Sequence, residues 1–100
     1  MRSLIVLLAS ATLMSGAPHV VTQKGKVFSV TELTVRAGDN VVFKNEDDVV
    51  HNVFSSSTGY SFNLKTQPPG VASETSFGKQ GDVQVRCAFH PTMKLTVHVR

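Results

Sequence analysis

Apolar and polar residues alternate one for one along Val83-Gln84-Val85-Arg86-Cys87 and again from Lys94 to Arg100, where Leu95, Val97 and Val99 share one side. A period of two puts successive side chains on opposite faces of an extended chain, so both segments predict strands with one face in a core. Glu32-Leu33-Thr34-Val35-Arg36, Val41–Lys44, Val49–Phe54 and Ser73–Phe77 read the same way, with two short strands near Val20–Thr22 and Lys26–Ser29. Turn-forming clusters separate them: Ala37-Gly38-Asp39-Asn40, Asn45-Glu46-Asp47-Asp48 and Gly78-Lys79-Gln80-Gly81-Asp82. No window carries a helical period. Short strands with turns at this spacing predict an all-β sandwich or barrel of seven to eight strands. Residues 55–72, SSSTGYSFNLKTQPPGVA, break the pattern by length and Ser/Gly/Pro content, and are expected to form a surface excursion.

The first residues follow another logic. Arg2 supplies a positive charge, Leu4–Met14 a mostly apolar run, and Ser15-Gly16-Ala17 small residues, the order of a secretory signal peptide. The run is shorter than the roughly 18 apolar residues of a membrane span, so no stable membrane insertion is expected. The expected organisation is a signal peptide over 1–17 and a single domain over 18–100, exported to a bacterial periplasm. The net charge of +3 includes Arg2. So small and evenly spread a surplus gives no grounds for a nucleic-acid partner.

A domain of this size buries only part of its surface and usually draws on disulfides or a metal. Exported small domains commonly use paired cysteines, yet this chain has one. Cys87 stands three residues before His90 and six before Met93. Taken singly, each has a plain reading: a small core residue, a solvated loop histidine, a core plug. Taken together, they place a thiol, an imidazole and a thioether on one short loop between the last two strands. Pro91, with its fixed φ, helps to hold that loop in one shape. Such soft and borderline donors suit copper, and His51, on a separate strand after an acidic turn, is the natural fourth. Two histidines and a cysteine with a weak axial methionine form the donor set of an electron-transfer copper site. It leaves no open position for substrate, so the protein is not expected to be an enzyme.

The loop Cys87-Ala88-Phe89-His90-Pro91-Thr92-Met93, with His51-Asn52-Val53 starting 36 residues before the cysteine, resembles the ligand segments of the cupredoxins, and within them the amicyanin- and plastocyanin-like members. Weaker similarity extends over Ala37-Gly38-Asp39, Asn45 to Asp48, Phe77 to Gly81 and the strand after Met93. The resemblance implies a Greek-key β-sandwich holding one type 1 copper ion. His51, Cys87 and His90 would be its equatorial ligands and Met93 the axial one. Asn52 would tie the upstream ligand segment to the cysteine loop, a kind of bond that orients ligands and tunes the metal. Electrons would pass at the edge of His90, through an apolar patch that includes Ala88, Phe89 and Pro91. The implied partners are redox proteins, a donor dehydrogenase or cytochrome and an acceptor cytochrome or oxidase, served by a monomeric shuttle. Ala88-Phe89 and Thr92 depart from the amicyanin loop, so the resemblance points to no particular donor.

The alternative is a copper-handling protein that sequesters or delivers the metal. Such proteins usually present exposed Met- or His-rich sites, whereas Met93 is the one methionine of residues 18–100. Of the remaining histidines, His98 is expected to point into solvent and His19 lies close to the end of the leader. Glu46-Asp47-Asp48 is expected to be a solvated turn, since a calcium loop needs more oxygen donors in regular spacing.

Overall fold

Within residues 18–100, the part described by the computed structural model, every alternating segment becomes a strand and no helix forms. The expected signal peptide over 1–17 lies outside the described residues. In chain order the strands are β1 (Pro18–Lys24), β2 (Val27–Phe28), β3 (Glu32–Val35), β4 (Asp39–Asn45), β5 (His51–Ser57), β6 (Tyr60–Gln67), β7 (Ala72–Phe77), β8 (Gly81–Arg86) and β9 (Lys94–Val99). They form a four-stranded sheet of order β2-β1-β4-β7 and a five-stranded sheet of order β3-β9-β8-β5-β6. The chain changes sheet between β2 and β3, β3 and β4, β4 and β5, β6 and β7, and β7 and β8, which gives the Greek-key sandwich its crossovers. Two long-range pairings, β1 with β4 and β3 with β9, are parallel.

Residues 55–72 are not a surface excursion. They hold the end of β5 and all of β6, an edge strand, which brings the count to nine rather than seven or eight. Thr58 and Gly59 make the two-residue connection between paired Ser57 and Tyr60, and Gly59 supplies the positive φ of 79° that the turn requires. Tyr60, Phe62 and Leu64 then pack against the core from the rim. A register shift opposite Asn52–Phe54 follows, with Lys65 at φ 67°. That bulge resets the alternation and turns Gln67 inward.

The core lies between the sheets. Val41 and Phe43 of β4 face Val83 and Val85 of β8 and Leu95, Val97 and Val99 of β9, all fully buried. One end of this interior is polar. Gln23 Nε2 donates to Gln67 Oε1 (2.8 Å), Gln67 Nε2 to the Phe43 carbonyl (3.0 Å), and Asn45 Nδ2 to the carbonyls of Gln67 and Val49 (2.9 Å each). Buried amides need such partners. Here they also fix the loop 46–50 that delivers His51, because Val49 and Gln67, the cross-strand neighbour of His51, are both held.

His98 faces outward as its alternation requires, and its ring meets two carboxylates there. Nδ1 lies 3.0 Å from Asp82 Oδ1 and Nε2 2.9 Å from Glu32 Oε1. The bond to Glu32, then that to Asp82, raises its pKa above the ordinary 6.5. A raised folded pKa favours the protonated form in the folded state. The stabilisation is therefore full below the unfolded pKa and is lost as pH rises through the higher folded value. His98→Gln is expected to flatten the fall in Tm on the alkaline side of pH 6.5. Thermal melts at fixed ionic strength will measure this, and an undiminished fall in the variant would assign it to other groups.

Candidate metal centre

Three strand ends converge at the polar end of the sandwich. His51 is the first residue of β5, Cys87 directly follows β8, and His90 and Met93 lie in the loop that leads into β9. The loop closes on itself: the Met93 N–H donates to the His90 carbonyl at 2.9 Å, with Pro91 at the second position of the turn. Cys87 and Met93 are each 1% exposed and belong to the main core cluster.

One donor atom each from His51, Cys87 and His90 lies within 4.8 Å of the others. Cys87 Sγ is 3.9 Å from His51 Nδ1 and 3.7 Å from His90 Nδ1. Metal–nitrogen and metal–sulfur bonds of about 2.0 and 2.3 Å, spread at trigonal angles, put N and S about 3.7 Å apart. The donors thus stand at the spacing of ligands around a shared centre. The two imidazoles meet edge to face, with centroids 4.9 Å apart and planes at 65°, so neither blocks the other's Nδ1.

Two of the donors, His51 and Cys87, are held from behind. His51 Nε2 lies 2.9 Å from Asp47 Oδ2, which leaves Nδ1 as the unprotonated nitrogen facing Cys87 when Nε2–H donates to the carboxylate. Asp47 is in turn fixed by the backbone N–H of Lys26 (2.9 Å), in the β1–β2 turn where Gly25 and Lys26 both have positive φ. The hydrogen bond from His51, then that from Lys26, lowers the Asp47 pKa to about 2. The expectation of a merely solvated turn at Glu46-Asp47-Asp48 is therefore corrected at Asp47. Only its place four residues ahead of His51 could have marked it, and its acidic neighbours obscured that signal.

Asn52 joins three segments. Its backbone N–H points at Cys87 Sγ (3.3 Å) and its Oδ1 accepts from the Ala88 N–H (3.2 Å). Its Nδ2 donates to Asn63 Oδ1 (2.9 Å) and to the Lys65 carbonyl (3.1 Å). His90 is half-buried, and Phe89 beside it is 52% exposed. His19 is not part of this cluster: its Nε2 sits 3.0 Å from Asp39 Oδ2. Among the described residues, His51, Cys87 and His90 form the one such group of three.

A two-sheet sandwich that gathers two imidazoles and a buried thiol around one point defines a small copper protein of the cupredoxin class. A model of copper-binding proteins of the plastocyanin/azurin family matches residues 17–100, and the chain belongs to that family. Its cofactor is copper, at a single type 1 site. Over 68 residues it is 34% identical to the methylamine utilization protein MauL of Methylorubrum extorquens, covering 67% of this chain and 60% of that protein. It thus spans about three fifths of that relative's length. Among solved structures, a reduced amicyanin variant superposes with a TM-score of 0.75 at 30% identity, covering 85% of this chain and 83% of the other. A purple cupredoxin from Nitrosopumilus maritimus does so with 0.73 at 26% identity, covering 82% and 99%.

Proposed function

We propose that the protein is an exported single-electron carrier and not an enzyme, with His51, Cys87 and His90 holding copper equatorially and Met93 axially. The single observation that carries this reading is the buried thiol of Cys87 set 3.7 and 3.9 Å from two imidazole nitrogens, in a loop that leaves it 1% exposed. Bound copper supplies a one-electron couple. The chain supplies the rest. Asp47 keeps the His51 ring in one orientation and Asn52 keeps the cysteine loop against β5. A frame of paired strands fixes the donors in place, which favours a geometry that changes little as an electron comes or goes. Burial of Cys87 and Met93 excludes water. His90, half-buried beside exposed Phe89, is the ligand nearest solvent and the natural point of electron exchange.

The partners would be redox proteins, a donor dehydrogenase or cytochrome and an acceptor cytochrome or oxidase, met in the periplasm by a monomer after removal of residues 1–17. Similarity to MauL and to amicyanin supports this kind of partner. The test is a visible spectrum of residues 18–100 on addition of one equivalent of Cu(II), followed by ascorbate. An intense thiolate-to-copper band that bleaches on reduction and returns on reoxidation is expected. A pale Cu(II) spectrum would remove the carrier assignment in favour of copper sequestration or delivery.

A further inference from the structure

Charges on the outer face of the five-stranded sheet are unevenly matched. Arg86 and Lys94 stand directly opposite each other in the β8–β9 hairpin. Like charges so placed repel and weaken a sheet. A neighbouring carboxylate would relieve this, and every acid of the chain is engaged or sited elsewhere. Of the seven Asp and Glu, Glu32 and Asp82 are bonded to His98, Asp39 to His19, Glu46 to Lys44 and Asp47 to His51. Asp48 lies in the β4–β5 loop, and Glu74 on β7 of the other sheet. Among the described residues the Arg86 guanidinium meets only neutral acceptors, the Val85 carbonyl and Gln84 Oε1. Lys65, exposed at the β6 bulge, adds a third cation on this sheet. Phe54, half-buried and paired with Arg86, gives the patch an aromatic centre. Arg86 is also the residue that precedes Cys87.

We propose that this face, with Arg86, Lys94 and Lys65 around Phe54, docks an acidic redox protein beside the copper end of the sandwich. The partner's charge follows from the unmatched cations, which an opposing carboxylate cluster would satisfy while speeding encounter and fixing orientation. Its redox nature rests on the carrier reading above; its acidity does not. The net charge of +3 is modest, so the local patch and not the molecule as a whole has to do the steering.

The probe is short polyglutamate, titrated into copper-loaded, ascorbate-reduced, 15N-labelled protein. Amide shifts are expected on residues 54, 65, 84–86 and 94–96. Arg86→Glu with Lys94→Glu is expected to weaken binding about tenfold, the low end of electrostatic steering effects. Lys24→Glu with Lys79→Glu makes the same change in net charge elsewhere and should weaken it no more than about twofold. The milder pair Arg86→Gln and Lys94→Gln keeps the comparison readable if the reversals disturb the hairpin. Equal weakening by the two reversal pairs, or shifts centred on another surface, overturns the proposal. The thiolate–copper band of the same samples reads the carrier assignment separately. Its absence with binding at the patch intact overturns the redox identity of the partner and leaves an acidic partner standing.

Discussion

Cys87→Ser is expected to abolish the intense visible absorption of the copper-loaded protein while leaving the copper-free fold in place. The two effects separate because Cys87 has two roles. As a buried residue it fills space in the core and sits 3.3 Å from the Asn52 N–H. A serine hydroxyl can take that hydrogen bond, so burying it costs about 1–3 kcal/mol at most. As a donor, cysteine is replaceable by no other side chain here. A thiol ionises near neutrality and gives a soft, strongly bound ligand, whereas a hydroxyl keeps its proton and offers a hard one. The two imidazoles remain, so the variant should still take up Cu(II) weakly, with a pale spectrum. The comparison needs far-UV circular dichroism of both copper-free proteins and visible spectra of both loaded ones. An intense band surviving in the variant would sink the assignment of Cys87 as the ligand that defines the centre.

How much of this could be seen in the chain depended on whether a signal was local. Val83, Val85, Leu95, Val97 and Val99 announced their strands because each segment has one buried and one solvated face, which is what an alternating sequence encodes. The pairing of β1 with β4 and of β3 with β9 left no such trace, since parallel partners far apart in sequence share no turn. β6 was hidden for a different reason. Tyr60, Phe62 and Leu64 do alternate, but Ser and Gly before them and Pro after them read as loop, and the bulge at Lys65 cuts the period short. At the candidate metal centre His51, Cys87 and His90, which the fold brings together, stood out in the chain with Met93 because cysteine, histidine and methionine are chemically distinctive and three of the four share one loop. Their supports were not. Asp47 is one of three consecutive acids, and Gln23, Asn45 and Gln67 look like surface amides until the fold buries them. Asn52 fell between these cases: its neighbour His51 and the family resemblance marked it, yet its partners Asn63 and Lys65 lie in the strand that the sequence concealed.

Those partners make Asn52→Ala the second large effect. The substitution keeps the backbone N–H that faces Cys87 Sγ but deletes three side-chain hydrogen bonds, to Ala88, Asn63 and Lys65. It strands the Ala88 N–H and the Lys65 carbonyl at a part-buried position. At roughly 1 kcal/mol per lost bond, with more where a buried group goes unsatisfied, the loss is about 2–4 kcal/mol. For a domain of this size that lowers Tm by roughly 10–25 °C. Copper should return part of it, because a ligand bound only by the folded state stabilises by linkage. The gap between variant and parent should therefore narrow in the loaded form, provided the donors still meet. Asn52→Asp separates the contributions, since it keeps an acceptor for the Ala88 N–H and loses the donations to Asn63 and Lys65. If the Ala88 bond is what clasps the cysteine loop to β5, the aspartate variant should hold copper nearly as well as the parent despite a lower Tm, and the alanine variant should release it faster to a chelator. Equal release rates from all three proteins would mean that Asn52 braces β5 against β6 and has no part in holding the cysteine loop.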